Sequence, residues 1–540
     1  MRRLAAGLCV FVLFLTACTR VTETAAGQRH PWTLPHVLRV VDLAEPDHLN
    51  PYLSEMDITY GVASLVYSYL VVADDRGQLI GDLAADVPSL ANGGISKDGR
   101  TYTYHLRHGV RWQDGAAFTS RDVVASWKAV VDPHNLTIFR QGYDRVVSIS
   151  TPDAYTAVVH LKERYPAFVS QFFAPLQEGG KPILPAHILE RDRNFNRSSL
   201  ETAPVGTGPF KLANWKHGER MTFVRNDEYF RGRPNLERIE LTFVPDVQTM
   251  MTQARTHQID LIYSPTAPLM AQYKTIPDET VYTTPWNGQI LIVWNTGKPG
   301  LNDETVRKAI IYATDRQSLI DHIAPGVGDV PHDVIAPTAI GYTQQDPIPY
   351  DLAKADAVLD ADGWARGSDG IRTKNGVRLE YTIASISGSA LLNRMAVLEQ
   401  QMLSQAGFAI HIKGYPYNQI FDFNGPIDTY KYDMAIYGTA LSWDPDSHVY
   451  YGCDQWYPKG QNFFRYCNRE YDLLEQRGLQ SDDPAVRAPL YAKADKILWN
   501  TASYMPISEL RRIIVRNPDL KNYKVNPTST PWYNAWEWDI

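Results

Sequence analysis

The chain has 540 residues, of which 44% are hydrophobic and 21% are charged, and its formal net charge is −7 at pH 7. This length is enough for roughly two to four domains with large cores. The mildly acidic balance, without a basic block, excludes a surface of the type that binds nucleic acid. Beyond the N-terminus no apolar run approaches the length needed to span a membrane.

The N-terminus carries an export signal. Arg2 and Arg3 precede an apolar run over residues 4–14, and small residues follow, a pattern typical of secretory signal peptides. The sequence Leu-Thr-Ala-Cys that ends at Cys18 resembles the lipobox of bacterial lipoproteins, in which the signal is cut before a cysteine that carries diacylglycerol. We expect a signal peptide at 1–17, lipid on Cys18 and a flexible tether at 18–35. A plain secretory peptide with a chance cysteine is the alternative. The mature chain would lie in the periplasm or on the cell surface, held to the membrane only by lipid.

Strands and helices alternate along the body of the chain. Hydrophobic periodicity predicts strands at 36–42, 101–106, 154–161, 210–214, 221–225, 239–244, 259–262 and 289–295. It predicts helices at 58–71, after Thr119, after Asp246, after Asn302, at 391–407 and after Asp483. Because the elements interleave without a clear linker, we expect a mixed α/β and α+β fold with discontinuous domains.

The four cysteines have three expected roles. Cys9 leaves with the signal peptide and Cys18 takes the lipid, which leaves Cys453 and Cys467 in a compartment where disulfides persist. We expect these two to form a disulfide, and two separate buried thiols are the alternative. No His or Cys stands beside them at the spacing of a metal site.

Signatures of catalysis are missing. Gly206-Thr207-Gly208 lacks the following Lys-Ser/Thr of a phosphate-binding loop, so we interpret it as a tight turn between lobes. His105 and His108 lie on a predicted strand without an acid to complete a metal set, which favours structural histidines. There is no H-E-x-x-H and no G-x-S-x-G motif. We therefore predict no enzyme, no catalytic residue, no metal and no cofactor; a secreted hydrolase with paired carboxylates is the less favoured alternative.

Five ordered blocks resemble one family. The chain resembles the extracellular solute-binding proteins of ABC importers, in the group that includes dipeptide-, oligopeptide- and nickel-binding proteins. The blocks are Tyr104 to Gly115, running into Phe118 to Val124; Pro204 to Lys211; Arg225 to Phe230; Asn295-Thr296 with Val306 to Ile310 and Asp315-Arg316; and Trp443 to Asp446. The resemblance covers residue 36 to the end.

The resemblance implies the architecture and the partners. It implies two lobes that close around a ligand, an extra domain in the first lobe, and docking on a membrane permease driven by ATPase subunits. We expect a monomer without nucleic-acid partners. The expected divisions are 36–72, 204–288 and 504–540 for the first lobe, 73–203 for its extra domain and 289–503 for the second lobe. A sensor with the same fold remains open as an alternative to an importer component.

The resemblance also points to a ligand site. In peptide-binding relatives an Asp shortly before the Asp-Pro of a Trp-rich loop pairs with the ligand's ammonium, and here that position falls at Leu441. Peptides remain the leading ligand class, with blocked peptides, oligosaccharides and metal chelates as alternatives. The candidate ligand contacts are Trp443, Asp444, Tyr437, Tyr417, Trp294, Asn295 and Asn50. Trp294 and Asn295 are expected near the crossing between lobes, and Asp444 is either a charge partner or the cap of the turn before Pro445.

Overall fold

The computed structural model describes residues 29–54, 56–138, 140, 142–175, 180–192, 194–421, 424–457, 459–527 and 532–540, except for the side chains of Tyr417 and Asn418. The predicted signal peptide, Cys18 and most of the predicted tether lie outside the described residues. Within the described residues, no helix is both long enough and apolar enough to cross a membrane.

Strands and helices alternate through the described part of the chain. The strands are β1 (Val37–Asp42), β2 (Val71–Ala73), β3 (Leu79–Gly81), β4 (Thr101–His105), β5 (Val146–Asp153), β6 (Thr156–Leu161), β7 (Phe210–Lys216), β8 (Arg220–Arg225), β9 (Arg238–Phe243), β10 (Leu261–Ile262), β11 (Thr280–Trp294), β12 (Gly328–Asp329), β13 (Ala365–Arg366), β14 (Arg372–Lys374), β15 (Val377–Arg378), β16 (Glu380–Ile386), β17 (Ala409–Tyr415), β18 (Met434–Ala440) and β19 (Met505–Arg516). The helices are α1 (Asp57–Val66), α2 (Ser120–Val131), α3 (Phe168–Gln171), α4 (Ala186–Asp192), α5 (Val247–Arg255), α6 (Met270–Tyr273), α7 (Glu304–Ala313), α8 (Arg316–Ile323), α9 (Leu352–Ala361), α10 (Ala390–Gln405), α11 (Tyr417–Ile420), α12 (His448–Tyr451), α13 (Arg469–Gly478) and α14 (Pro484–Asn500).

One large sheet runs through the molecule. Its strand order is β17-β16-β18-β11-β19-β10-β1-β9-β8-β7, and β12 also pairs with β19. Parallel pairs occur at both ends, where β1 pairs with β9 and β10, and β16 pairs with β17 and β18. A small antiparallel sheet of order β4-β6-β5 stands beside it. This architecture confirms the mixed α/β fold class that the sequence predicts.

Separate hydrophobic cores cover the two ends of the large sheet. Val40, Tyr102 and Leu241 belong to a core that joins β1 and β9 to the β4-β6-β5 sheet. We call the body around this core the first lobe. Ile383 and Ile436 belong to a core around β16 and β18, and we call that body the second lobe. A further core around β10 and β19, which includes Val41 and Val327, lies between these two bodies.

Most predicted helix starts are confirmed by their caps. The Thr119 side chain and Asp122 form the predicted capping box of α2. Asp246 caps α5 through the backbone N–H of Thr249, and Asp483 caps α14 with Pro484 at the first helical position. These helix starts are predictable from the sequence because each capping side chain bonds to the backbone within three residues.

The first predicted helix is too long. The sequence predicts a helix over 58–71, whereas α1 ends at Val66 and β2 begins at Val71. In a continued helix the Val66 carbonyl would accept from the Leu70 N–H. Instead it accepts from the Gly208 N–H at 2.8 Å, while the Leu70 N–H bonds to the Phe173 carbonyl at 2.9 Å. Tertiary hydrogen bonds therefore replace the helical ones.

The glycine pair at 206 and 208 explains that contact. A Cβ atom at Gly206 would lie 1.8 Å from the Val66 carbonyl oxygen, and one at Gly208 would lie 2.5 Å from the Val66 carbonyl carbon. Only glycine permits this approach of two backbones. Both partners belong to the first lobe, so the expectation of a turn between the lobes is wrong.

Candidate functional site

Two long strands connect the lobes. Residues 280–285 of β11 pair with residues 511–516 of β19, and beyond them Gln289 pairs with Glu509. The first stretch lies next to β10 of the first lobe, whereas the second stretch lies next to β18 of the second lobe. The register of the pair shifts between these two stretches. The cleft between the lobes therefore has a floor made by the two crossing strands.

The crossing segment of β11 is irregular. Pro285 has no N–H to donate to the ladder. At Gly288 a Cβ atom would lie 2.2 Å from the ring of Trp286, so this ring folds over the glycine backbone. Irregular strand pairing of this kind supports local bending, and hinges of lobe closure lie at such short connecting segments.

The loop after β18 begins at this crossing. The Leu441 N–H donates to the Asn287 carbonyl at 2.6 Å. Tyr437, on β18 just before the loop, meets the ring of Phe421 edge to face, with centroids 5.2 Å apart. Leu441, which the resemblance in sequence places at the position of the expected acid, packs against a core of the second lobe.

Trp443 reaches from the second lobe to the first. Its indole N–H donates to the carbonyl of Gly77, in the turn between β2 and β3, at 2.9 Å. The ring packs against the core of the first lobe. The loop that carries Trp443 therefore bridges the two lobes, and the lobes of this structure are in contact.

Asp444 is engaged by an arginine. Its two oxygens accept from both terminal nitrogens of Arg487, each at 2.8 Å, and the two side chains are 2% and 3% exposed. Arg487 also donates to the Tyr491 hydroxyl at 3.1 Å. The Asp446 N–H donates to Asp444 across Pro445 at 3.0 Å. The expectation that Asp444 meets a ligand cation is corrected, because its charge is already paired and its second predicted role, in the turn at Pro445, is the one observed.

Trp294 and Asn295 lie in the core of the second lobe. The Trp294 ring is fully buried, and its N–H donates to the Ala502 carbonyl at 3.0 Å. The Asn295 amide donates to the carbonyls of Tyr430 and Tyr432. The crossing lies several residues earlier, so the expected placement of this pair beside the crossing is corrected.

Asn50 and Tyr417 are the remaining predicted contacts. Asn50 is fully buried, and its side-chain oxygen accepts from the Tyr52 N–H at 3.2 Å, which shapes the turn before α1. Tyr417 begins the short helix α11, and its side chain lies outside the described residues. Of the predicted contacts, Tyr437 and Trp443 are the aromatic residues on β18 and on the loop that follows it, and both are partly buried against hydrophobic cores.

The predicted disulfide is present. Cys453 and Cys467 are bonded, with their Cα atoms 4.5 Å apart. The Cys453 N–H donates to Asp472 at 3.1 Å, which ties the disulfide loop to α13. The disulfide loop lies in the second lobe. It follows the Trp443 loop in the chain and precedes α13 and α14.

Two carboxyl groups lie buried behind the Trp443 loop. Glu475 of α13 and Asp495 of α14 are fully buried, and both oxygens of Asp495 have no hydrogen-bond partner among the described residues. Burial raises the pKa of each of these two groups well above the usual range for a carboxyl group. Burial thus favours their uncharged, protonated forms.

The described side chains do not form a metal centre. Among the described residues no three His, Cys, Asp or Glu side chains lie close enough together to hold a metal ion. The ring of His108 packs on Tyr155 with centroids 4.0 Å apart. This contact agrees with a structural role for that histidine.

Sequence reasoning missed the partner of Asp444 and an ion pair between the lobes. Arg487 is one turn into α14 and far from the Trp443 loop in sequence. Asp482, just before α14, bonds to Arg164 of the first lobe. No motif marks either position, because their partners are brought close only by the fold.

Comparison with known proteins gives the family. Residues 82–461 match the profile of the bacterial extracellular solute-binding proteins, family 5. The oligopeptide-binding protein AppA of Bacillus subtilis is 24% identical over 98% of this chain and 97% of its own. The nickel-binding periplasmic protein of Escherichia coli is 27% identical over 89% of this chain and 90% of its own.

A solved structure supports the same fold. NikZ from Campylobacter jejuni, in complex with Ni(L-His), superposes with a TM-score of 0.76 at 24% identity, covering 94% of this chain and 100% of its own. The family match extends over well more than half of the chain, and the described structure has two lobes joined by two crossing strands. This chain therefore belongs to family 5 of the bacterial extracellular solute-binding proteins, and it is a substrate-binding protein of an ABC importer and not an enzyme.

Proposed function

We propose that this protein is anchored to the membrane by lipid on Cys18, captures peptides in the cleft between its lobes and delivers them to its permease. In this proposal residues 1–17 are the signal peptide and residues 18–35 the tether. The divisions of the body at 73, 204, 289 and 504 remain predictions of the same proposal. Tyr437 and Trp443 are the proposed aromatic ligand contacts.

The observation that carries the peptide proposal is the likeness to an oligopeptide-binding protein over 98% of the chain. The chemistry of the cleft agrees with it. Aromatic side chains offer broad apolar contact to peptide side chains of different shapes. The backbone of the crossing strands can supply hydrogen bonds that do not depend on ligand sequence.

The amino group of the ligand needs a partner other than Asp444. A buried ammonium requires an anionic or strongly polar partner, and the Asp444 carboxylate is paired with Arg487. We therefore propose that the Trp443 loop does not bind the peptide amino terminus. Peptides with a blocked amino group, oligosaccharides and metal chelates are the competing ligand classes.

Thermal melting tests the ligand class. The chain from Thr19 onwards is melted alone and with free peptides, N-acetylated peptides, oligosaccharides and nickel–histidine. A ligand present at a hundred times its dissociation constant stabilises the native state by about 2.7 kcal/mol, which shifts the melting temperature visibly. We expect stabilisation by peptides, with N-acetylation costing little. Stabilisation by sugars or chelate alone contradicts the peptide proposal.

A matched pair of variants tests the cleft. Tyr437→Ala removes a proposed ligand contact, whereas Tyr350→Ala removes a tyrosine that is 47% exposed elsewhere on the second lobe. We expect the ligand-induced shift to fall sharply in the first variant and to persist in the second. Equal shifts in both variants would place the ligand elsewhere.

Metabolic labelling tests the anchor. Palmitate should label the wild-type protein and the Cys9→Ala variant, whereas Cys18→Ala should abolish labelling. Labelling that survives Cys18→Ala contradicts the proposed anchor.

A further inference from the structure

We propose that Asp482 is a latch that closes the second lobe on the first and sets the fraction of closed protein in the absence of ligand. Asp482 lies between α13 and α14 in the second lobe. Its partners, Arg164 and Tyr102, belong to the β4-β6-β5 sheet region of the first lobe. The inference concerns closure itself, so it holds whichever ligand class the cleft accepts.

The contact between the lobes is close and largely buried. One terminal nitrogen of Arg164 donates to Asp482 at 2.6 Å, and the Tyr102 hydroxyl donates to the other carboxylate oxygen at 3.3 Å. The Asp482 side chain is 2% exposed and that of Arg164 is 21% exposed. Such charge-assisted bonds are stronger than neutral ones, and this one is shielded from water on its Asp482 side.

The first lobe is shaped to receive the carboxylate. At Gly99, where φ is +66°, a Cβ atom would lie 2.6 Å from the Asp482 carboxylate and 2.7 Å from the Arg164 Cγ. A side chain at this position would push the partners apart. The second guanidinium nitrogen of Arg164 donates to the Lys97 carbonyl at 2.7 Å, which fixes the direction of the side chain.

The same segment holds the other bridge between the lobes. Arg487, in the first turns of α14, binds Asp444, the neighbour of Trp443, whose indole donates to Gly77 of the first lobe. The segment is rigid at its start, because Asp483 caps α14 through the Ala485 N–H at 2.9 Å. Both bridges therefore depend on one rigid element, and we expect them to form and break together.

The latch lies apart from the proposed ligand contacts. None of its members is a proposed ligand contact, so its contribution to closure does not require an occupied cleft. A contact present only in the closed state shifts the balance between open and closed protein by its own free energy. Removal of either charged partner should lower the ratio of closed to open protein by about tenfold.

Distance measurement between the lobes tests the latch. Spin labels are placed by Val147→Cys in the first lobe and Leu473→Cys in the second, at positions that are 59% exposed in each case. The full mature chain carries Cys18→Ser, and its native disulfide stays intact. Electron–electron double resonance then gives the distance distribution of the ligand-free protein for the parent, Asp482→Asn, Arg164→Gln and the double variant.

The control removes an ion pair within one lobe. Arg121→Gln breaks the exposed contact between Arg121 and Glu190 in the first lobe. We expect a closed population in the parent and the control, and an about tenfold lower closed-to-open ratio in each latch variant. The double variant should open no further than a single one, since both act on one contact. Thermal melting of each variant checks that it is folded.

Three results would overturn the latch. They are a ligand-free parent that is entirely open, latch variants with the distance distribution of the parent, or a double variant in which the two single effects add. Each of these results would mean that Asp482 and Arg164 do not act together on closure.

Discussion

Arg487 holds Asp444 by two parallel hydrogen bonds of 2.8 Å, and both side chains are almost fully buried. This bidentate pair fixes the loop that carries Trp443 to the first turns of α14. It also pairs the carboxylate of Asp444, which the sequence suggests as a ligand contact. The pair therefore has a structural role in closure, and a charged group on the ligand must be bound by other residues.

Breaking this pair on one side should be costly. Arg487→Met leaves the Asp444 carboxylate buried and unpaired, and we expect a loss of about 3–5 kcal/mol in the free energy of unfolding. Replacing both partners, Arg487→Met with Asp444→Leu, should recover part of the loss. Urea unfolding measures all three proteins. A loss below about 1 kcal/mol for Arg487→Met would mean that the pair is exposed in solution.

The Trp443 indole should contribute to ligand affinity through closure. Trp443→Phe keeps the packing of an aromatic ring but deletes the hydrogen bond to Gly77. A hydrogen bond of this kind is worth about 1 kcal/mol, so we expect a dissociation constant about fivefold higher. Isothermal titration with the stabilising peptide measures it. Trp456→Phe, on the disulfide loop, is the control, and an equal effect in both variants would contradict the bridge.

Glu399 should make stability fall as pH rises. Burial raises the pKa of its carboxyl from 4.5 to about 8, although the Thr314 hydroxyl donates to it at 2.8 Å. Between these pH values the unfolded chain loses the proton while the folded protein keeps it. The free energy of unfolding then falls by about 1.4 kcal/mol per pH unit for this group, and the penalty is absent below the unfolded pKa.

The variant Glu399→Gln isolates that effect. It keeps an acceptor for Thr314 and has no proton to lose, so its melting temperature should match the wild type near pH 5 and exceed it near pH 8. Glu219→Gln, at an exposed position, should show no such divergence. Parallel pH profiles for wild type and Glu399→Gln would contradict a buried carboxyl with a raised pKa.

The disulfide should stabilise the second lobe. Cys453 and Cys467 are separated by 14 residues, and in the chain-entropy description a loop of this size contributes about 3 kcal/mol. Replacing both cysteines by serine should lower the free energy of unfolding by about that amount. Reduction of the wild type with dithiothreitol should reproduce the loss, and a loss only in the serine variant would point to packing instead.

Local signals in the sequence predicted the helix starts and most strands well. Asp246 and Asp483 could be assigned as caps because a cap acts within one turn. The helix predicted over 58–71 is too long, because the end of α1 depends on hydrogen bonds with Gly208 and Phe173, which are distant in sequence. Periodicity cannot report hydrogen bonds of that kind.

The site was harder to predict than the fold. The strand expected at 289–295 is the second half of β11, whose first half contains Pro285 and polar residues and lacks a buried-strand pattern. The sequence therefore places the crossing between the lobes several residues too late, beside Trp294. No sequence pattern marks Arg487, Arg164 or Asp482 as a bridging residue. A charged residue is expected to be exposed to solvent when its partner is unknown.

We propose that the cleft of this family 5 protein holds a peptide. Native mass spectrometry of the protein purified in its lipidated form, followed by unfolding and sequencing of the released molecules, tests it most directly. We predict added masses that resolve into short peptides. Released sugar or a metal chelate, without peptide, would contradict the claim.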